Sequence, residues 1–250
     1  MKSTMEFKGV TYQVDLSRPL DISIPLRAGA ENVNAWYCEP VRIEPVVMGD
    51  WVGEVKRGGS VNFRNVFLNP HGNGTHTECV GHISREDYSI NQCLREFFFM
   101  AELVSVKSEE KNGDSIITKQ HLVSMCKHEN AQALIIRTLP NDSLKNNRHY
   151  SNTNPPYLEH EAAEWMVKRG IKHLLIDLPS VDREKDDGKL LAHHAFWRYP
   201  DQTRTDATIT ELIYVDDSIA DGLYLLNLQI TSLENDASPS KPVLYKIFSS

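Results

Sequence analysis

The feature that most constrains the fold is a succession of strand, helix and strand in the middle of the chain. Residues 131–138 form a near-continuous apolar run, which is typical of a strand whose sheet is covered on both faces. Residues 159–169 have apolar side chains at helical spacing and are followed by Gly170, a frequent residue after a helix. Residues 171–177 form a second apolar strand. A crossover of this kind joins parallel strands, so the sequence predicts an α/β fold.

Further elements are predicted on both sides of this unit, giving a mixed sheet with packed helices. The predicted strands cover residues 10–15, 20–24, 61–68, 97–106, 208–215, 222–230 and 242–247, and the predicted helices cover residues 90–96, 118–126 and 190–199. Phe97, Phe98 and Phe99 are expected to lie in the core. With 250 residues and 40% hydrophobic composition, the chain can form one domain over residues 1–250.

An unusually dense group of polar residues lies between residues 69 and 82, after a predicted strand. It contains His71, His76, Glu78 and His82, interleaved with three glycines. In an extended strand, His76 and Glu78 would point to the same side about 7 Å apart. Divalent metals such as zinc accept imidazole nitrogen and carboxylate oxygen together. Local spacing leaves two interpretations open, namely a metal or acid/base site and a tight surface turn with solvated histidines.

Two positions late in the chain could complete such a site. Glu211 lies among apolar residues, and a buried carboxylate is costly unless it is paired or bound to a cation. The alternative is an outward-facing glutamate on an amphipathic strand. His193 and His194 lie on neighbouring faces of a predicted helix, so at most one of them points into a site. The spacing alone does not choose between these two histidines.

Two aspartates, Asp177 and Asp182, lie at and just beyond the carboxyl end of the predicted strand 171–177. Open α/β sheets bind their ligands at this end of their strands. Capping of the turn is an equally good explanation of both residues.

The segment Gly74-Thr75-His76-Thr77-Glu78, followed by His82, resembles the signature His-x-Gly-Thr-His-x-Asp-x-x-x-His. This signature belongs to the metal-dependent cyclase/hydrolase family that includes kynurenine formamidase and isatin hydrolase. Other segments are similar to that family in the same order, and they are residues 15–20, 133–138, 176–182, 192–193 and 210–212. The resemblance implies a swivelling β/β/α fold, a divalent metal ion (zinc or manganese) and a homodimer or higher homo-oligomer.

Residue roles carry over only where the residues match. The resemblance implies that His82 is the general acid/base and that the metal ligands are His76, Glu78, His193 and Glu211. Two positions depart from the signature. Gly72 occupies the place of its first histidine, and His71 would need a one-residue bulge to substitute. Glu78 is one methylene longer than the aspartate of the family. We therefore expect one metal ion per chain, with His71 as an additional candidate ligand.

Composition narrows the classes of function. The net charge of -7, without a basic stripe rich in aromatic residues, argues against a nucleic-acid-binding protein. The four cysteines are widely spaced and include no Cys-x-x-Cys pair, which suits reduced thiols in the cytoplasm. Cys79 lies in the motif and is interpreted as a small buried hydrophobe rather than a nucleophile. The first residues lack an apolar secretion segment, and no run of 18 apolar residues predicts a membrane span.

A long irregular stretch over residues 26–60 is a candidate binding element, because loops of this length are often functional. Trp36 and Tyr37 within it could form the wall of an aromatic substrate pocket. They could equally cover a core edge or a subunit contact.

Together these features predict a metal-dependent, arylformamidase-like hydrolase that cleaves a small amide, formamide or lactam with a metal-activated water. His82 would move the proton, since an unperturbed imidazole titrates near neutral pH. Two other functions stay open. One is a polyketide-type cyclase or dehydratase, and the other is a non-catalytic metal- or small-molecule-binding protein that keeps the fold. The non-catalytic hypothesis stays open because Gly72 replaces the first histidine of the signature.

Overall fold

A mixed sheet of eleven strands dominates the computed structural model, which describes residues 1–249. In chain order the strands are β1 (Lys2–Phe7), β2 (Val10–Asp15), β3 (Leu20–Asp21), β4 (Arg42–Pro45), β5 (Val47–Met48), β6 (Trp51–Val52), β7 (Arg64–Phe67), β8 (His76–Glu78), β9 (Phe98–Lys107), β10 (Glu109–Lys111), β11 (Asp114–Ile117), β12 (Ala133–Leu139), β13 (Tyr157–Leu158), β14 (His173–Ile176), β15 (Thr208–Glu211), β16 (Gly222–Asn227), β17 (Ala237–Pro239) and β18 (Val243–Ser249). The α-helices are α1 (Ile90–Cys93), α2 (Lys119–Met125), α3 (His160–Lys168) and α4 (Leu191–Trp197).

The large sheet has the strand order β1-β2-β18-β16-β9-β12-β14-β15-β8-β17, and β3 also pairs with β18. The four central strands β9, β12, β14 and β15 are parallel, and the strands on either side of them are antiparallel. The segments between the parallel strands contain α2, α3 and α4. The predicted crossover and the predicted α/β class with a mixed sheet are therefore confirmed.

Both faces of the central strands are covered, as the apolar run in β12 predicts. Leu134 and Ile136 pack with buried side chains of α2, α3 and α4. Ala133 and Ile135 point to the opposite face and pack with a second apolar cluster. Cys79 is fully buried in that second cluster, in agreement with its interpretation as a small hydrophobe.

Three local predictions are confirmed only in part. The predicted strand 61–68 contributes only β7, which pairs with β4 in a separate two-stranded sheet and is exposed on both faces. The predicted helix 90–96 forms one turn, α1. Phe97 and Phe98 are 40% and 55% exposed, whereas Phe99 is 2% exposed. β12 pairs with β9 only from Ala101 onward, so the first residues of β9 extend beyond this neighbouring strand.

A buried ion pair anchors the loop that follows β14. Nζ of Lys145 lies 2.8 Å from a carboxylate oxygen of Asp177, and both side chains are almost completely buried. The lysine also donates to the carbonyl and hydroxyl oxygens of Thr138, while Asp177 accepts from the Thr138 backbone N–H. Asp177 therefore holds the backbone in place, which matches the capping interpretation of this residue.

Within residues 1–249, no helix is both long and apolar enough to cross a membrane. The elements that meet near one end of the sheet are β8, the ends of β14 and β15, and the start of α4. They bring together most of the polar residues singled out in the sequence.

Candidate metal centre

His76 and Glu211 face each other from neighbouring antiparallel strands, β8 and β15. Nε2 of His76 lies 3.5 Å from a carboxylate oxygen of Glu211, and both side chains are buried. Nδ1 of His76 lies 2.9 Å from the carbonyl oxygen of Gly74. A carbonyl only accepts, so Nδ1 carries the proton and Nε2 presents a lone pair. This buried Nε2 atom has no hydrogen-bond partner.

Glu78 lies on the same side of β8 as His76, as strand alternation predicts. It is fully buried, and Oε1 lies 3.2 Å from Nε2 of His193. Oε2 lies 3.1 Å from Nδ1 of His71 and 3.8 Å from Nε2 of His82. Neither contact has hydrogen-bond geometry, which leaves this buried oxygen without a hydrogen-bond partner.

The start of α4 supplies His193, whose orientation is set by Asp182. Nδ1 of His193 lies 2.6 Å from the Asp182 carboxylate, and Nε2 lies 4.0 Å from Glu211. His194 points elsewhere and donates from Nδ1 to the carbonyl oxygen of Tyr199. The structure thus makes the choice between the two histidines that sequence spacing leaves open.

His71 reaches this cluster even though Gly72 occupies the signature position. The backbone N–H groups of Gly72 and Asn73 bond the carbonyl of Asn69, so residues 69–73 form a tight turn. The imidazole of His71 packs against that of His76 with ring centroids 5.3 Å apart. The turn therefore brings the imidazole of His71 to the cluster from the position before Gly72.

His82 lies in a short 3-10 turn after β8, and its imidazole is partly exposed. Nδ1 lies 3.3 Å from the Asp236 carboxylate, which also lies 2.8 Å from Nε2 of His71. Asp236 was not predicted as a site residue. The sequence gives no sign of its role, because only the pairing of β17 with β8 brings it to the cluster.

The electrostatics of the cluster reflect several carboxylates close to several imidazoles. Burial opposes the charged form of His193, but its hydrogen bonds to Asp182 and Glu78 outweigh burial and raise its pKa to about 10. Burial also opposes the charged form of His71, but its hydrogen bond to Asp236 and the negative charge of Glu78 raise its pKa to about 10. Burial would raise the pKa of Glu78, yet the neighbouring imidazoles hold it well below its usual value. Burial and the charge of Glu78 raise the pKa of Glu211.

The cluster fits a divalent cation. Possible ligand atoms lie within 4.8 Å of one another in three overlapping groups, which are His71/His76/Glu78, Glu78/His82/His193 and His71/His82/Asp236. The strongest sign is the pair of buried, unpartnered atoms, Nε2 of His76 and Oε2 of Glu78. Imidazole nitrogen with carboxylate oxygen is a donor set that zinc, manganese and iron all accept. A cation would take the place of the protons that otherwise bridge these groups.

A cavity of about 370 Å³ opens beside the cluster. Its lining includes Trp36, Cys38, His71, His82, His193 and Glu211. Trp36 thus lies where a pocket wall is expected. Tyr37 does not line this cavity, since it is 63% exposed and its hydroxyl donates to the side chain of Asn152.

The described fold agrees with what is found among known proteins. Residues 14–183 match the family model Cyclase, described as "Putative cyclase". The match covers more than half of the chain, and the chain belongs to this family. The matched region, residues 14–183, includes β8 and His82, whereas His193 and Glu211 lie beyond its end.

Named relatives extend the comparison. The chain is 27% identical over 197 residues to a kynurenine formamidase of Bacillus thuringiensis (strain Al Hakam), covering 77% of this chain and 84% of the relative. Isatin hydrolase A from Labrenzia aggregata superposes with a TM-score of 0.67 at 15% identity, covering 91% of this chain and 93% of that one. A predicted metal-dependent hydrolase from Bacillus stearothermophilus gives a TM-score of 0.64 at 16% identity. The superposition covers 91% of this chain and 98% of that one. At such low identity these two structures establish a shared fold.

Proposed function

We propose that the protein is a metal-dependent hydrolase that cleaves the C–N bond of a small amide, formamide or lactam. The observation that carries this proposal is the convergence of two buried, unpartnered atoms, Nε2 of His76 and Oε2 of Glu78. A buried polar atom without a partner costs about 1–3 kcal/mol, a cost that a bound cation removes. The kynurenine formamidase relatives and the isatin hydrolase neighbour support the amide chemistry.

The residues proposed to hold the cation are His76, Glu78, His193 and Glu211, with His71 as an additional candidate ligand. When bound, a divalent cation at such a site lowers the pKa of a water molecule to about 7 and polarises a carbonyl oxygen. The carbonyl of Gly74 accepts the Nδ1 proton of His76 and the carboxylate of Asp182 accepts that of His193, so that Nε2 of each ring is the nitrogen directed at the cluster. The backbone N–H of Val181 donates to Glu211 and fixes that carboxylate.

His82 is proposed as the general acid/base. Its Nδ1 donates to Asp236, which leaves Nε2 to take up a proton during attack and to return it to the departing nitrogen. The ring lines the cavity and is partly exposed, so that a substrate can reach it. Positioned acid/base groups of this kind contribute on the order of a hundredfold or more to the rate.

The cavity supports a small substrate with a flat apolar part. Its volume of about 370 Å³ is at the lower end of the range of ligand pockets. Its lining combines the aromatic side chain of Trp36 with polar groups of the histidine cluster. N-formyl aromatic amines and isatin-like lactams combine these features and are the proposed substrate class.

Other properties of the protein are part of the proposal. We propose one zinc or manganese ion per chain, because the donor set suits both. A homodimer or higher homo-oligomer is supported by exposed apolar side chains on the segment 47–67, which include Val47, Met48, Phe63, Val66 and Phe67. One domain is supported by a sheet that joins β1 to β18. The free cysteines suit the cytoplasm.

The test combines metal analysis with a hydrolysis screen. The protein is loaded with zinc or manganese, its metal content is measured, and turnover of N-formyl aromatic amines and isatin-like lactams is followed. We expect bound metal and hydrolysis of at least one of these classes. The variant His193→Ala should empty the site, with His194→Ala as the matched control on the same helix. Bound metal without turnover on any substrate would favour the non-catalytic binding protein.

A further inference from the structure

We infer that Asp236 is a positioning residue that fixes the tautomers of His71 and His82. Through it, His71 takes the place of the histidine that the family signature has at position 72. This inference rests on the proposed metal site, and it adds two residues that the signature does not contain.

One carboxylate oxygen of Asp236 contacts both imidazoles, those of His71 and His82. Oδ2 of Asp236 lies 2.8 Å from Nε2 of His71 and 3.3 Å from Nδ1 of His82. A carboxylate only accepts, so each of these nitrogens carries its proton. The opposite nitrogens, Nδ1 of His71 and Nε2 of His82, then face Oε2 of Glu78 at 3.1 and 3.8 Å. A single side chain therefore directs two imidazoles towards the same buried oxygen.

The two imidazoles are held as a unit. Their rings are stacked, with centroids 4.3 Å apart and an angle of 29° between the planes. Asp236 itself is anchored by its backbone, because its carbonyl accepts from the N–H of Cys79, the residue after β8. Ala237, the next residue, pairs with Glu78 in the ladder between β17 and β8. The sheet thus fixes the position of Asp236 relative to Glu78.

Packing explains why the imidazole comes from position 71. A Cβ atom at Gly72 would lie 2.4 Å from Sγ of Cys38 and 2.8 Å from the carbonyl oxygen of Ala35. The carbonyl of Gly72 also accepts from the N–H of Ala35. A histidine at position 72 would therefore clash with Cys38 and with the backbone of Ala35. This clash is specific to position 72. The backbone N–H of His71 donates to the side chain of Asn69, which holds the backbone at position 71 in place.

The first experiment measures zinc and cobalt affinity by competition with a chelator. The proteins compared are the wild type, Asp236→Ala, Asp236→Asn, His71→Ala and the double variant Asp236→Ala/His71→Ala. Asp236→Ala should weaken zinc binding about 10- to 100-fold, the usual effect of losing a carboxylate behind a ligand histidine. Asp236→Asn should lose less, since its amide oxygen still accepts. In the His71→Ala background the further change Asp236→Ala should matter less than about threefold.

A matched control separates positioning from general damage to the loop. Glu234→Gln removes a carboxylate two residues away that accepts from Asn91 and Gln92 and contacts no imidazole. It should bind zinc as the wild type does. Melting temperatures of all variants show whether the fold is kept.

The second readout is the tautomer of each ring. In zinc-loaded protein with ¹⁵N-labelled histidine, two-bond ¹H–¹⁵N spectra should show the proton of His71 on Nε2 and that of His82 on Nδ1. Both patterns should change in Asp236→Ala. Wild-type zinc affinity in Asp236→Ala, or a proton on Nδ1 of His71 in the wild type, would overturn the inference. Failure of the wild type to bind any divalent cation would instead remove the proposed function.

Discussion

A single carboxylate, that of Asp182, both orients His193 and completes the start of the helix that carries it. It lies 2.6 Å from Nδ1 of His193 and accepts the backbone N–H groups of Ala192 and His193. The first N–H groups of a helix have no partner within the helix, so this contact stabilises α4 while it fixes the ring. The orientation of His193 is therefore part of the helix start.

Removal of this carboxylate should weaken metal binding and the helix together. Asp182→Ala should reduce zinc affinity about 10- to 100-fold and lower the free energy of unfolding by about 1 kcal/mol. Chelator competition and urea denaturation measure the two effects. Asp186→Ala is the control, because Asp186 accepts from backbone N–H groups of the same loop but touches no histidine of the cluster. Unchanged zinc affinity in Asp182→Ala would contradict the role given to this residue.

The proposed acid/base role of His82 separates catalysis from metal binding. His82→Ala should keep the metal content near that of the wild type and reduce hydrolysis by about a hundredfold or more, because no other group would move the proton. Metal analysis and turnover on the substrate found in the screen provide the measurement. Loss of metal from this variant would make His82 a ligand instead.

The buried ion pair of Lys145 and Asp177 should contribute strongly to stability. Lys145→Met leaves a buried carboxylate without its partner and should cost about 3–5 kcal/mol in urea denaturation. The double variant Lys145→Met/Asp177→Asn should recover part of this loss, since the remaining side chain is neutral. Lys172→Met removes an exposed ion pair with Asp206 and should cost less than about 1 kcal/mol. Equal losses for the two lysines would contradict the argument from burial.

His173 should make stability depend on pH in the acid range. The imidazole is buried against Phe99, and Nδ1 lies 2.9 Å from the hydroxyl of Thr208. Burial lowers its pKa to about 3, with a further contribution from Lys172. The unfolded chain, with a histidine pKa near 6.5, then binds more protons than the folded chain between about pH 6.5 and 3. The contribution of the neutral His173 imidazole to the free energy of unfolding is therefore fully present above about pH 6.5 and is lost as the pH falls towards 3.

The measurement is the free energy of unfolding between pH 7 and pH 5. His173 alone should lower it by about 2 kcal/mol over this interval. His173→Gln should reduce the slope, whereas His128→Gln at an exposed imidazole should leave it unchanged. Identical slopes for His173→Gln and the wild type would show that His173 is not the group responsible.

The parts of the fold and site that follow a local pattern could be predicted from the sequence. The apolar run in β12 indicates a strand covered on both faces, and alternation along β8 puts His76 and Glu78 on one side. The cost of burying a carboxylate points to Glu211. Each of these inferences needs only a few neighbouring residues and a known repeat.

The remaining features depend on contacts between distant segments. Asp236 reaches His71 from a position 165 residues further along the chain, through the pairing of β17 with β8. The choice of His193 over His194 depends on the face that α4 turns to the sheet. Phe98 is exposed whereas the adjacent Phe99 is buried, and the apolar run that contains both residues does not indicate this difference. Such contacts leave no trace in local spacing.

β8 lies between β15 and β17, and it carries two of the proposed ligands. The imidazole of His76 and the carboxylate of Glu78 lie next to the other residues of the cluster only when β8 is paired with β15 and β17, which come from distant parts of the chain. Binding of an ion by these residues would therefore require that β8 is paired with β15 and β17. An ion that binds only the paired form stabilises it according to its free concentration relative to Kd. A higher free concentration of the metal would thus favour the form in which β8 is paired with both neighbouring strands.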